Sequence, residues 1–323
     1  MTPRINFWQW ISYSLRIRRV EYRIAEVPLF LMPALLAAQD TTHLSSMVFW
    51  EGLLAFLFLF SFGDLVNCLA DRDLDAVYKP QLTQAVYGLG TTGVAIQAVV
   101  SVACSFAFTL HLAWTLERFV LLPMFGGGVF LAWAYSMDPL RLKARGLWQL
   151  GFYWLGLFAG PMTFTACLFT WPPPTEVLLF SLTFGLLQTG VILVNTAEDF
   201  PEDRDLGVRT IIVFTGLRAG LRLALGLAVL GWISLLSVIA WIGYHLGSGL
   251  GVLFAGIGPL LMAGGFVSVS LLRLVVDLPP SEADSIARAK RAARLVPVWI
   301  TSCALTSLWA AAMLFWLRTG VRS

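Results

Sequence analysis

The chain has 323 residues, 58% of them hydrophobic and 13% charged, and its 22 Lys and Arg against 19 Asp and Glu leave a formal net charge of +3. A mean hydropathy of +0.77 excludes a soluble globular domain and marks an integral membrane protein. Cys68, Cys104, Cys167 and Cys303 are too scattered for a disulfide framework or a zinc site, and His43, His111 and His245 are as dispersed.

Residues 1–20 (MTPRINFWQWISYSLRIRRV) are basic and aromatic, with no short apolar core ahead of a small-residue cleavage site. They are expected to form an interfacial helix on the membrane surface rather than a removable signal. Nine apolar runs follow, at 22–40, 46–68, 91–114, 119–137, 147–170, 177–196, 219–243, 249–275 and 296–317. Each has about the 17 to 25 residues that a helix needs to cross the hydrocarbon core, and none alternates as barrel strands do. The predicted fold is all-α: one polytopic membrane domain over 1–323, about nine transmembrane helices in one bundle.

The second run ends in NCLADRDLD, which spaces Asn67, Asp71 and Asp75 four apart. GLGTTG at 88–93 has the letters of a dinucleotide-binding loop but introduces a membrane span, so its glycines are expected to let helices approach. Between the fourth and fifth runs, YSMDPLRLKARG carries Arg141, Lys143 and Arg145. Gly156 and Gly160 of the fifth have the spacing of small residues at helix contacts. The sixth run ends in NTAEDFPED, which repeats the ladder as Asn195, Asp199 and Asp203. After the eighth, PPSEADSIARAKRAARL reads as a capped basic helix leading into the ninth. The ladders close spans two and six, which run in one direction, so the chain is expected to contain two parallel four-helix quasi-repeats.

Lys and Arg accumulate on the cytoplasmic side of short loops. Nineteen of the 22 fall on one side: those up to Arg23 and those in the connections after spans two, four, six and eight, leaving Arg118, Arg318 and Arg322 opposite. The N-terminus and both ladders are expected at the cytoplasmic face of a cell inner membrane, with the C-terminus outside.

Residues four apart on an α-helix form one strip along a face. A carboxylate within the membrane is costly, and less so near the interface where these lie. One acidic run reads most simply as a solvated loop. Two runs in one register, each followed by basic residues (Arg72 and Lys79; Arg204 and Arg209), suggest a hard divalent cation held by carboxylate and amide oxygens. Mg²⁺ takes one or two carboxylates and shares its shell with water and phosphate, so the implied substrate is a diphosphate. The cations at 141–145 are placed to neutralise its remaining oxygens.

With these segments on one chain, the sequence resembles the UbiA-type family of intramembrane prenyltransferases over nearly its whole length. The first motif of that family, N-D-x-x-D-x-x-x-D, corresponds to Asn67, Asp71 and Asp75. The second, D-x-x-x-D followed by a run like D-R-x-x-G-x-x-T, corresponds to Asp199 and Asp203 with Arg204, Gly207 and Thr210. Tyr135 and Lys143 match the Tyr and Lys of the family's central loop. The resemblance implies two Mg²⁺ ions joining the motifs to a prenyl diphosphate, with the isoprenoid tail among the helices. Two positions depart from the pattern: Cys68 stands where an Asp is common, and after Asp75 the chain keeps Lys79-Pro80 in place of an Arg-Pro segment.

The expected activity is Mg²⁺-dependent transfer of a prenyl group from its diphosphate to an apolar or aromatic acceptor within the membrane, with no nucleic-acid partner. Asp71, Asp75, Asp199 and Asp203 are the expected catalytic metal ligands, with Asn67 and Asn195 as neutral oxygen ligands. Lys143, Arg141, Tyr135, Lys79, Arg72 and Arg209 are the expected substrate contacts. A terpene cyclase on the same scaffold would begin with the same ionisation. A transporter is the non-enzyme alternative, disfavoured because the repeat is parallel and the acids lie near one surface.

Overall fold

The computed structural model describes residues 5–320. Residues 1–4 of the basic N-terminal segment, and Arg322, lie outside the described residues. The helices in chain order are α1 (Phe7–Ile17), α2 (Arg23–Ala37), α3 (Thr41–Ser45), α4 (Met47–Tyr78), α5 (Pro80–Leu89), α6 (Thr91–Thr115), α7 (Leu121–Ser136), α8 (Leu147–Gly151), α9 (Gly160–Phe169), α10 (Thr175–Glu198), α11 (Phe200–Asp205), α12 (Ile211–Thr215), α13 (Leu217–His245), α14 (Leu250–Val276), α15 (Glu282–Ala293) and α16 (Val296–Gly320). A π-helical stretch, Phe152–Ala159, joins α8 to α9. Among the described residues the only β pairing is one bridge between Arg145 and Arg209.

Among the described residues, seven stretches are long and apolar enough to cross a membrane: Met47–Ala76, Thr91–Thr115, Leu147–Phe169, Thr175–Glu198, Leu217–His245, Leu253–Val276 and Val296–Gly320; Leu121–Ser136 is a shorter apolar helix. These match the second to ninth predicted runs. The first run forms the 15-residue α2, shorter than predicted. It stops at Ala37, ahead of Asp40, whose carboxylate accepts the N–H groups of Thr42 and His43 at 2.9 and 3.2 Å and starts α3 instead.

The chain divides into two compact units, one of residues up to Arg23 with Ser46–Leu142, the other of Ile24–Ser45 with Lys143 onward. In the first, Asn6 caps α1 reciprocally with Gln9, at 2.8 and 2.9 Å. Phe7, Trp8 and Trp10 are exposed, while Ile17 joins Phe62, Leu65, Val86 and Val94 in a buried apolar cluster. α4 packs along α6 through a stripe of small residues, Ala98, Ser101, Ser105 and Thr109, and Ser105 Oγ donates to the Ala55 carbonyl at 2.7 Å.

In the second unit, α10 packs along α13 at a closer approach. A Cβ on Gly190 would stand 2.4 Å from the Ala228 nitrogen, and one on Gly231 would stand 2.2 Å from the Leu187 nitrogen. These glycines let the two backbones touch; a Cβ on Gly160 would meet the Leu155 carbonyl of the π-helical stretch, at 2.7 Å. Arg318, near the end of α16, donates to the carbonyls of Leu35 at 2.9 Å, Leu36 at 2.6 Å and also Ala38. A guanidinium on the last carbonyls of a helix favours its dipole, so this exception to the charge bias has a structural use.

The quasi-repeat is visible within each unit. A long apolar helix ends in an acidic ladder, short helices follow, and a glycine starts the next long helix: α4, α5 and α6 in one unit, α10 to α13 in the other. Gly90 (φ 76°, ψ 141°) and Gly216 (φ 80°, ψ 150°) hold the same left-handed-side backbone at equivalent places. The second glycine of GLGTTG thus makes a turn and has open space around it, whereas Gly88 is the one pressed against a neighbour, the Tyr13 ring.

Candidate active site

α4 is 32 residues long and runs unbroken through its ladder, so Asn67, Asp71 and Asp75 lie on one face at one-turn intervals. The Asn67 amide donates to Asp71 Oδ2 and to Ser136 Oγ, both at 3.1 Å, which leaves its oxygen as the free end of an oriented amide. Asp75 is buried, and Lys79, exposed, closes the helix before Pro80. Tyr135 is half-buried, one residue before Ser136.

Arg141 stands beside this ladder, Nη2 at 3.8 Å from Asp71 Oδ1. Its backbone has φ 38°, a conformation that costs a non-glycine residue on the order of 1–3 kcal/mol and collects at functional sites. Its Nε is buried without a hydrogen-bond partner, a donor still lacking an acceptor. Arg72, by contrast, spends its guanidinium on the Leu69 carbonyl at 2.7 Å and on Asp73 at 3.4 Å.

Cys68 turns its thiol to the end of α1. Its thiol donates to the Ile17 carbonyl at 3.5 Å and its side chain is part of the apolar cluster under α1.

The second ladder is bent. α10 ends at Glu198, Asp199 is its cap, and α11 begins at Phe200. Asn195, Asp199 and Asp203 therefore do not share one continuous helix as the spacing predicted. Pro201 has no N–H for the Ala197 carbonyl, so the ladder of hydrogen bonds breaks there, although Asp203 N–H still reaches the Asp199 carbonyl at 2.8 Å. The D-R-x-x-G-x-x-T run has a backbone logic. Gly207 (φ 70°) ends α11 with its N–H on the Arg204 carbonyl and Val208 N–H on the Asp203 carbonyl, 3.1 and 2.7 Å, a Schellman closure. Thr210 then caps α12 through Val213 N–H at 3.4 Å.

This return segment is stitched to the chain after Lys143. Gly146 N–H donates to the Arg209 carbonyl at 2.8 Å, and the Arg209 guanidinium lies over the Phe214 ring, 5.8 Å from its centroid. Lys143 is buried. Arg141 thus belongs with the first ladder, and Lys143, Arg145 and Arg209 with the second.

Four acids near the ladders take structural partners. Asp64 pairs with Arg23 at 2.9 Å, and Asp73 accepts from Tyr87 at 2.5 Å. Glu202 pairs with Lys290 at 2.5 Å and Asp205 with Arg204 at 3.7 Å, and Arg204 also reaches Glu282 at 2.6 Å. Among the described residues no three His, Cys, Asp or Glu side chains enclose a metal ion by themselves. The donors are nevertheless hard carboxylate and amide oxygens with the unpartnered Arg141 Nε beside them. That set suits Mg²⁺ completed by water and phosphate.

Sequence reasoning missed Arg19. It follows α1 in the left-handed conformation (φ 45°, ψ 50°). Burial lowers its guanidinium pKa, but Cys68, Asp64, Tyr22 and Asp75 raise it and prevail. A lone arginine in a basic stretch carries no signal of this.

Residues 27–280 match the model of the UbiA prenyltransferase family. Among curated proteins, the chain is 28% identical over 213 residues to the bacteriochlorophyll synthase 33 kDa chain of Cereibacter sphaeroides, covering 64% of this chain and 65% of that one. It is 25% identical over 183 residues to the chloroplastic chlorophyll synthase of Oryza sativa subsp. japonica, covering 52% and 45%. The chain thus spans less than two thirds of the length of these relatives. Among solved structures, a digeranylgeranylglyceryl phosphate synthase matches with TM-score 0.63 at 14% identity, over 94% of this chain and 99% of that one. A UbiA homolog from Archaeoglobus fulgidus bound to GPP and Mg²⁺ matches with TM-score 0.61 at 15% identity, over 91% and 99%. At such identities the likeness shows the fold alone.

Proposed function

The chain belongs to the UbiA prenyltransferase family, and on that premise we propose that it transfers a prenyl group from a prenyl diphosphate to an apolar or aromatic acceptor, with Mg²⁺, at the cytoplasmic face of a cell inner membrane. The observation that carries this reading is Arg141. A strained arginine with a buried, unpartnered donor stands 3.8 Å from Asp71 on an oriented acidic strip, as an anion accompanied by a cation would require.

Asp71, Asp75, Asp199 and Asp203 would hold two Mg²⁺ ions, with Asn67 and Asn195 as neutral oxygen donors. When bound, the ions neutralise charge on the leaving diphosphate. Arg141, Lys143, Lys79 and Arg209 bind the diphosphate oxygens that the ions leave, and Tyr135 borders the reacting end of the donor. Arg72, committed to Leu69 and Asp73, braces α4. The allylic carbon–oxygen bond breaks with its electron pair leaving on the diphosphate, and the acceptor supplies the pair that forms the new bond and releases a proton. The apolar helices exclude water that would otherwise capture the allylic cation.

The relatives named bacteriochlorophyll and chlorophyll synthase, and the neighbour bound to GPP and Mg²⁺, guide the choice of substrates for the test. Purified protein receives prenyl diphosphates of increasing length with Mg²⁺, with and without acceptors that include small aromatic acids, membrane lipid extract and precursors of bacteriochlorophyll. Diphosphate release is expected to rise at least about tenfold with one acceptor, roughly 1.4 kcal/mol of positioning, and the prenyl group to appear on it. Rapid release without acceptor, yielding a cyclic hydrocarbon or alcohol, would replace this reading with a cyclase. Metal-dependent solute uptake into vesicles without release would replace it with a transporter.

A further inference from the structure

Behind the second ladder lies a chain of buried polar side chains that no motif marks. Gln149 uses both ends of its amide: Oε1 accepts Ile211 N–H at 2.8 Å, and Nε2 donates to the Tyr153 hydroxyl at 3.0 Å. That hydroxyl meets Thr196 Oγ1 at 3.3 Å. Gln149, Tyr153 and Thr196 are all buried, Gln149 at 2% exposure. Tyr153 belongs to the π-helical stretch Phe152–Ala159, a geometry that is rare and recurs at functional sites.

The two ends of this chain lie at the two ends of one segment. Thr196 directly follows Asn195 on α10, and Ile211 opens α12 directly after Arg209 and Thr210. Everything from 196 to 211 lies between them, including Asp199, Asp203 and Arg209. This segment cannot hold its acids by helical continuity, because α10 breaks at Asp199. A buckle across its base replaces that continuity. Opening the Gln149–Ile211 link would leave a buried amide oxygen and a buried backbone N–H unpaired, whereas Thr196 Oγ1 keeps a second partner in the Ile192 carbonyl at 3.4 Å.

We propose that Gln149 and Tyr153 are positioning residues that buckle the segment 196–211, and so fix Asp199 and Asp203 relative to Arg209 for a Mg²⁺–diphosphate pair. The inference rests on the function proposed above for what the segment binds. Neither residue touches the reacting atoms. Their hydrogen bonds go to Ile211 N–H and Thr196 Oγ1, so they act through the backbone of the segment, and loss of a group that orients a metal site typically weakens metal affinity by about tenfold or more.

The test uses the full chain in lipid nanodiscs, with Mn²⁺ and inorganic diphosphate as the probe. Free Mn²⁺ is followed by electron paramagnetic resonance, and amide exchange is measured over 195–213. Tyr153→Phe and Thr196→Val are each expected to weaken Mn²⁺ binding about tenfold and to speed exchange at Ile211, with the double variant no weaker than either single because both open one chain. Gln149→Leu should be at least as severe; if it does not fold, the other two variants keep the test intact. Wild-type Mn²⁺ affinity in Tyr153→Phe, or additive losses in the double variant, would overturn the buckle. Wild-type protein that binds Mn²⁺ and diphosphate with these variant effects, yet transfers no prenyl group, would overturn the proposed function and leave the buckle standing. Wild-type protein that binds neither overturns both.

Discussion

The Lys290 ammonium on α15 lies 2.5 Å from Glu202 Oε1, one residue before Asp203. Arg204, one residue after Asp203, reaches back to Glu282 of the same helix at 2.6 Å. α15 therefore grips α11 on both sides of a ladder carboxylate, with the charges crossed. Lys290 is 40% exposed and Glu202 18%, so the pair is worth about 1 kcal/mol, the upper end for an accessible pair. Lys290→Met is expected to lower turnover about fivefold, and the Lys290→Glu, Glu202→Lys exchange to restore most of it. Turnover unchanged in Lys290→Met would mean the grip is idle.

Metal dependence follows from the twin ladders. Chelator should abolish diphosphate release and added Mg²⁺ should restore it. Asp71→Asn and Asp199→Asn should each cost at least about two orders of magnitude, as removing a principal charge stabiliser commonly does. Near-normal turnover in both variants would return the ladders to solvated loops.

Cys68 offers a contrasting case. Its thiol meets the Ile17 carbonyl in an apolar cluster. Cys68→Ala should keep turnover within about twofold and lower stability by on the order of 1 kcal/mol through lost packing. A folded Cys68→Ala protein without diphosphate cleavage would assign the thiol a chemical role.

Orientation rests on the charge split. Single cysteines at Gln81 and Thr175, in a background without native Cys, should label from opposite sides of the membrane. Labelling from one side would sink the nine-span map.

How much of this was legible in sequence depended on whether the signal was local. The apolar runs and the four-residue spacing of Asn67, Asp71 and Asp75 are local, and α4 realises them directly. The second ladder has the same spacing, but Pro201 decides its shape; a spacing rule that assumes one helix passes over that residue. Gln149 and Tyr153 look like stray polar groups in an apolar run, because their partners Ile211 and Thr196 lie 62 and 43 residues away. Lys290 read as part of a basic surface helix for the same reason, its partner lying 88 residues earlier. Arg19 is hidden differently: what distinguishes it is a backbone angle, which no residue type announces.

The contact between Arg318 and the end of α2 bears on the order in which the molecule can be completed. α2 leaves the ribosome with the carbonyls of Leu35, Leu36 and Ala38 at its end, and the guanidinium that donates to them is translated some 282 residues later. Until then the beginning of the unit has no finished terminus. A nascent chain interrupted anywhere before α16 therefore carries α2 without the guanidinium that caps its last carbonyls.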